Sequence, residues 1–115
     1  MRYRLTEAAD ADIADVLRFT ARRFGPVQRR RYSQMIEQAI AMVAEAPTRP
    51  GSRNRDELGK GVRSLHLELA VRRRGAGSHA LYYSVGPLED GNDGVIILRL
   101  LHERMDPTRH FGPED

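Results

Sequence analysis

The 115-residue chain contains no cysteine. That excludes a disulfide framework and all thiolate chemistry, and it fits a reducing compartment. Lysine is nearly absent as well: Lys60 stands alone against eighteen arginines. No apolar stretch is long enough to span a bilayer, and the opening Met-Arg-Tyr-Arg-Leu-Thr-Glu lacks the apolar segment of a secretory leader. The expectation is a cytoplasmic protein with no membrane partner. No glycine-rich loop follows a strand, since Gly59-Lys60-Gly61 lacks the length and the Ser/Thr of a phosphate-binding loop. His66, His79, His102 and His110 have no ligand spacing and no cysteine partners, so neither a metal nor a cofactor is expected.

The length is that of one domain, residues 1–115, with a core of its own. The formal charge is only +3. Guanidinium forks suit phosphate or carboxylate, but a GC-rich coding sequence yields arginine too. Arg18, Arg22, Arg23, Arg29, Arg30 and Arg31 crowd one helix end and the next helix start, while Glu7, Asp10, Asp12 and Asp15 crowd the front of the first helix. Acids at a helix N-terminus and bases at its C-terminus complement the macrodipole. Charge by itself is therefore no nucleic-acid footprint.

Arg2 to Leu5 alternates charged and apolar, as a short edge strand does. Thr6 is placed to cap a helix whose stripe is Ala9, Ile13, Val16, Leu17, Thr20 and Phe24. Gly25-Pro26 separates it from a second helix with Tyr32, Met35, Ile36, Ala39, Ile40, Val43 and Ala46 on one stripe. Two such helices joined by a short turn form an antiparallel hairpin. Pro47 to Lys60 has no period. From Gly61 the period is two, with Leu65, Leu67, Leu69 and Val71 on one side and Ser64, His66 and Glu68 on the other, which predicts a strand through Val71. A turn at Arg72-Arg73-Arg74-Gly75-Ala76-Gly77 precedes a strand over His79 to Val85, and a loose loop over Gly86 to Gly94 leads to a central strand over Val95 to His102. The tail, with Pro107 and Pro113, is expected to wrap the sheet. The class is α+β: a short N-terminal strand and a helix hairpin packed on one face of a small antiparallel sheet, the other face left for a partner.

Chemistry-bearing residues gather on the last three strands: Arg63, His79, Tyr82, Tyr83, Arg99, His102, Glu103 and Arg104. A ribonuclease without metal needs a base, an acid and cations for the developing phosphate charge, and His, Tyr and Arg are the right types. Packing is the favoured role for Tyr82, Tyr83 and His66, and Ser64 and Ser78 read as ordinary strand residues. Arg99, alone in an apolar strand, must reach water or a carboxylate, with Glu103 or Glu68 as candidates. His102, Arg104 and Arg63 stay open as functional residues.

The ordered set Tyr3-Arg4-Leu5-Thr6, Phe24-Gly25, Asp56-Glu57-Leu58-x-x-Gly61-x-Arg63-Ser64-Leu65, Ser78-His79-x-Leu81-Tyr82-Tyr83 and Leu98-Arg99-x-Leu101-His102-Glu103-Arg104-Met105-Asp106 resembles the ParE branch of the RelE/ParE toxin superfamily, over nearly the whole chain. The resemblance implies an α+β toxin of a type II toxin–antitoxin system that poisons DNA gyrase and is not an enzyme. Its partner would be a ParD-like ribbon-helix-helix antitoxin with a wrapping C-terminal segment, and operator DNA would be reached only through that antitoxin. Relatives of the RelE type instead cut messenger RNA on the ribosome. Two departures weigh against that activity here: Ala80 stands where an arginine is frequent, and the nuclease-like Gly-His-Arg-x-x-Val-Tyr ending is missing. The expected target-binding set is His102, Glu103, Arg104 and Met105 supported by Arg63 and Arg99. The alternative, an endoribonuclease, would use His79, Tyr83, Arg99 and His102. A third reading is a toxin-like module that has lost toxicity. The apolar side of the hairpin and an exposed strand edge are the expected antitoxin sites. The Arg72–Arg74 turn is longer than the family pattern and has no assigned role.

Overall fold

The chain begins with a three-residue strand, β1 (Tyr3–Leu5), and turns at once into the helix hairpin, α1 (Glu7–Phe24) and α2 (Pro26–Glu45). The computed structural model describes residues 1–111. Thr6 caps α1 as its sequence position predicts: its Oγ1 accepts from the Ala9 N–H at 3.0 Å and donates to the Leu98 carbonyl at 3.0 Å. Such a cap contributes about 1 kcal/mol, and the second bond fastens the start of α1 to the sheet. Gly25 separates the helices with φ +92°, a conformation closed to most side chains, and Pro26 opens α2.

The remaining elements are β2 (Arg53–Asn54), β3 (Arg63–His66), α3 (Glu68–Val71), β4 (His79–Pro87) and β5 (Asp93–His102), with 3-10 turns at Asp56–Leu58 and Pro107–His110. The sheet order is β1-β5-β4-β3-β2. β1 lies parallel to β5 at one edge, and the other pairings are antiparallel.

The stripes of α1 and α2 meet one face of this sheet. Ala9, Leu17, Ile36, Ala39, Ile40 and Val43 pack on Leu65, Leu67, Leu81, Tyr83, Val95, Ile97 and Leu100. The other face carries a smaller cluster, Leu58, Val62, Tyr82 and Leu101, against which Leu98 and Phe111 pack. A bulge joins the two. Tyr82 pairs with Arg99 but Tyr83 pairs with Ile97, so Leu98 is the extra residue. The alternation of β5 slips there, which lets both Ile97 and Leu100 reach the helix side. Hence the run from Val95 to Leu101 is apolar at every position but Arg99.

Several expected boundaries change. The strand predicted through Val71 ends at His66. Leu67 donates its N–H to the carbonyl of His79, the first residue of β4; beyond it no strand among the described residues pairs with the chain, and Glu68-Leu69-Ala70-Val71, opened by good helix formers, closes one helical turn. Leu69 and Val71 are exposed as a result. The aperiodic stretch from Pro47 to Lys60 holds β2 and a 3-10 turn, and the loop after β4 is short because its strands extend to Pro87 and from Asp93. Phe24, placed on the buried stripe of α1, is 62% exposed. The face opposite the helices is partly covered by Leu58, Val62 and Phe111. Of the tail, Phe111 lies on the sheet, whereas Pro113 falls outside the described residues.

Candidate functional site

The first residue of β4 and the last of β5 are paired in the ladder, which brings His79 beside His102 with ring centroids 5.1 Å apart and planes at 83°. Tyr32 of α2 stands edge-on to His79 at 5.5 Å. Its hydroxyl accepts from the Ser78 N–H at 3.0 Å and lies 2.6 Å from His79 Nδ1. With Ser78 on its acceptor side, the hydroxyl has its own proton free for Nδ1, an assignment that leaves the His79 proton on Nε2. Burial, and secondarily the neighbouring His102, push the His79 pKa down to about 4, so the ring is neutral at pH 7. Burial likewise raises the Tyr32 hydroxyl above its ordinary value.

The corner after β5 is a tight turn. Glu103 N–H donates to the Ser78 carbonyl and Met105 N–H to the His102 carbonyl. The Arg104 N–H donates to His102 Nδ1 at 3.0 Å. Glu103 is engaged by His66, whose Nε2 lies 2.8 Å from Oε1 while its Nδ1 accepts from the Glu68 N–H; the bond to His66 holds the Glu103 carboxyl below its ordinary value. Arg104 and Met105 project outward, Met105 with 48% of its surface exposed.

A groove of about 740 Å³ opens over the two histidines, lined by Phe19, Thr20 and Phe24 of α1, Gln28 and Tyr32 of α2, and Ala76, Ser78, His79 and His102. No arginine or lysine is among these lining residues. The groove therefore offers a neutral imidazole and an apolar wall, but no cation to meet a phosphate.

The other proposed nuclease residues are committed elsewhere. Tyr83 is fully buried, and its hydroxyl lies 2.5 Å from both the Pro47 carbonyl, to which it donates, and Ser52 Oγ. Arg99 is bound by Asp12 of α1 in a two-pronged pair, Nε to Oδ2 at 2.7 Å and Nη2 to Oδ1 at 2.9 Å. Its carboxylate is neither Glu103 nor Glu68: the helix packed across β5 supplies one closer to the strand than either. Arg63 pairs in register with Tyr83, well along the strands from the His79–His102 corner, and donates to Ser52 Oγ at 2.8 Å and the Ser52 carbonyl at 3.1 Å. Thus His79 joins His102 and the 102–105 turn, while Tyr83, Arg99 and Arg63 hold the sheet and its edges. Tyr82 packs on Phe111 beneath the Arg55 guanidinium.

Sequence reasoning missed Asp12, Tyr32, Phe19 and Gln28 as neighbours of the site. Asp12 left a trace: it lies three residues after the buried Ala9, on the side of α1 that turns inward. Among the described residues no group of His, Asp or Glu is placed to hold a metal ion.

The family described as "ParE toxin of type II toxin-antitoxin system, parDE" matches residues 3–107. The chain belongs to the ParE toxin family. The match takes in both the Tyr3-Arg4-Leu5-Thr6 start and the Leu101–Asp106 ending. Toxin ParE1 of Caulobacter vibrioides is 32% identical over 110 residues, covering 96% of this chain and 97% of that protein. Toxin ParE1 of Mycobacterium tuberculosis is 35% identical over the same length and coverage. Toxin ParE of Escherichia coli is 32% identical over 106 residues, with 90% and 86% covered. Membership of a type II toxin–antitoxin family implies an antitoxin partner. No described helix is long and apolar enough to cross a membrane.

Proposed function

We propose that this ParE-family toxin arrests growth in the cytoplasm by binding DNA gyrase, and that it does so without enzymatic chemistry. The observation that supports this best is the histidine groove: no cation lines it, and the tyrosine and arginine that a metal-free nuclease would call on are fastened to Pro47, Ser52 and Asp12. The target-binding surface is then the turn formed by His102, Glu103, Arg104 and Met105. Arg99 supports it by anchoring β5 to α1, and Arg63 by fixing the β2–β3 edge to Ser52. A ParD-like, ribbon-helix-helix antitoxin neutralises the toxin by laying an apolar segment into the groove between Phe19, Phe24 and Tyr32, a helix-in-groove mode of recognition. Operator DNA is bound by that antitoxin.

The test is a supercoiling assay with purified toxin, together with a search for trapped gyrase–DNA cleavage complexes. Inhibition that disappears in Arg104→Ala and His102→Ala, and is abolished when antitoxin is added, supports the reading. Unimpaired supercoiling at saturating toxin sinks it. The His79–His102 pair is the one feature favouring a ribosome-dependent messenger RNA endonuclease instead. Cleavage of ribosome-bound transcripts that vanishes in His102→Ala would establish that alternative.

A further inference from the structure

A second groove lies on the other side of Tyr32. It has a volume of about 380 Å³ and runs between α2 and the turn that follows α3. Gln28, Arg31, Gln34 and Gln38 line it from α2 and Arg73 from the turn, over a floor that includes Met35, Val71 and Ala76. Arg31 and Arg73 are the two arginines in its wall, one from each segment, and Arg29, Arg30, Arg72 and Arg74 adjoin them in sequence, which adds positive charge near the cleft without lining it. All six are exposed. None of them lies within ion-pair distance of a carboxylate among the described residues. Glu68, the acid that opens α3, accepts from the Gly75 N–H through Oε1 and sits with Oε2 3.9 Å from His66 Nδ1.

The macrodipole that accounts for Arg22 and Arg23 at the end of α1 does not account for these. α2 has no acidic residue in its first turn, and Arg29 to Arg31 stand in the half of the helix where the dipole disfavours positive charge. Like charges brought together without counter-charges are costly to the isolated fold and favourable only toward a polyanion.

We propose that this cleft binds the phosphate backbone of duplex DNA directly, with Arg31 and Arg73 as its two principal phosphate ligands and Gln28, Gln34 and Gln38 as amide donors beside them. The lining favours a duplex backbone over two other polyanions. Its one aromatic residue, Tyr32, is half-buried and shared with the histidine groove, a single partly covered ring where an unpaired strand needs successive stacking platforms. An acidic peptide needs large apolar anchors; the apolar part of this cleft is limited to the buried Met35 and to Ala76 and Val71, whereas Phe19 and Phe24 lie in the neighbouring groove. Arginine and glutamine are well matched to phosphate oxygens, which position a protein without reading sequence. Binding at this cleft requires no gyrase and stands or falls without it. It also gives this chain its own hold on DNA, where the family resemblance routes operator DNA only through the antitoxin.

The experiment is fluorescence anisotropy of a short labelled duplex titrated with the full chain at several salt concentrations, with no gyrase present. Arg31→Gln combined with Arg73→Gln is expected to weaken binding about tenfold or more at low salt and to flatten the slope of log affinity on log salt by about 2, one for each phosphate that is no longer neutralised. The charge-matched control, Arg4→Gln with Arg109→Gln, changes two exposed arginines on β1 and in the last 3-10 turn and is expected to keep most of the affinity. An equal loss in the control overturns the proposal, since the binding would then follow net charge alone. Unchanged binding in the Arg31/Arg73 variant overturns it too. So does displacement of the duplex by an equal charge concentration of polyglutamate or of single-stranded RNA, which would assign the cleft to another polyanion.

Discussion

Arg99 and Arg73 carry the same guanidinium, yet one closes a seam and the other lines an open one. Where α1 crosses β5, Asp12 grips Arg99 through two nitrogens, also accepts from the Leu100 N–H at 3.0 Å, and has the Thr6–Leu98 bond as its neighbour. Where α2 meets the turn after α3, Arg31 and Arg73 face a cleft without a carboxylate partner among the described residues. Charge that is compensated inside the fold serves stability; charge left uncompensated at a concave surface is available to a ligand. The two seams should therefore respond to mutation in opposite ways.

The largest effect belongs to the closed seam. Asp12→Ala removes both prongs of the pair and the acceptor of the Leu100 N–H, and leaves a largely buried guanidinium without a partner. A loss of about 2–4 kcal/mol in urea unfolding is expected. Replacing both partners by apolar residues, Asp12→Leu with Arg99→Met, should recover much of that loss, because the cost comes from an unpaired charge more than from the missing pair. A change below about 0.5 kcal/mol in Asp12→Ala would mean that α1 is held to β5 by the apolar stripe alone.

Next comes the wall between the two grooves. Tyr32→Phe strips the hydroxyl that both satisfies the Ser78 N–H and donates to His79 Nδ1. The expected cost is about 1–3 kcal/mol, the desolvation penalty of partners left unmade. The same change withdraws a bond that favours neutral His79, so its pKa should rise from about 4 toward the ordinary histidine value, observable by NMR titration of the ring. A variant that loses stability while the titration stays put would show that Tyr32 acts by packing and leaves the histidine to burial alone.

How much of this was legible beforehand follows the periodicities. The helix hairpin, its Thr6 cap and the two long strands were readable because a stripe at three and four residues, or an alternation of two, fixes which face is buried. The strand predicted from Gly61 to Val71 is present as β3 but overran its end, because Leu65, Leu67, Leu69 and Val71 keep a period of two whether or not a partner strand is there to receive them. Only the end of β4 at His79 decides where β3 stops. The juxtaposition of His79 with His102 was within reach, since a meander pairs the start of one strand with the end of the next. The pairing of Arg99 with Asp12 was not, because it joins residues 87 apart across two elements. The bulge at Leu98 was hidden for a related reason: a strand apolar on both faces carries no alternation whose slip could be seen.

A smaller effect is expected from acid. His79 has a folded pKa of about 4, below the 6.5 of the unfolded chain. The unfolded state therefore binds more protons between those values, and stability rises with pH there. The contribution of His79 is complete above about pH 6.5, declines as the pH falls, and is gone near pH 4. For a ring that keeps some contact with solvent this amounts to about 1 kcal/mol, after screening is allowed for. His102, Glu103, His66 and Asp12 share the local field. Comparing the pH profile of unfolding with that of His79→Gln isolates the histidine, and identical profiles between pH 6.5 and 4 would remove it as the cause. The carboxylates held below their ordinary values, Glu103 and Asp106 among them, lose their contributions at lower pH.

The smallest effect is the one that separates the two seams most sharply. If Arg31 and Arg73 were structural in the manner of Arg99, changing them would destabilise the fold. Both are exposed and without a carboxylate partner among the described residues, so Arg31→Gln and Arg73→Gln should each move the unfolding free energy by no more than about 0.5 kcal/mol. Arg29→Glu, one turn into a helix that opens with no acid, should stabilise by a few tenths of a kcal/mol through the dipole and through relief of repulsion from its neighbours. Urea titrations of the three variants beside Asp12→Ala settle the matter on one scale. A loss above about 1 kcal/mol at Arg31 or Arg73 would close the distinction between the seams, because a residue that the fold requires for itself cannot be read as held out for a ligand.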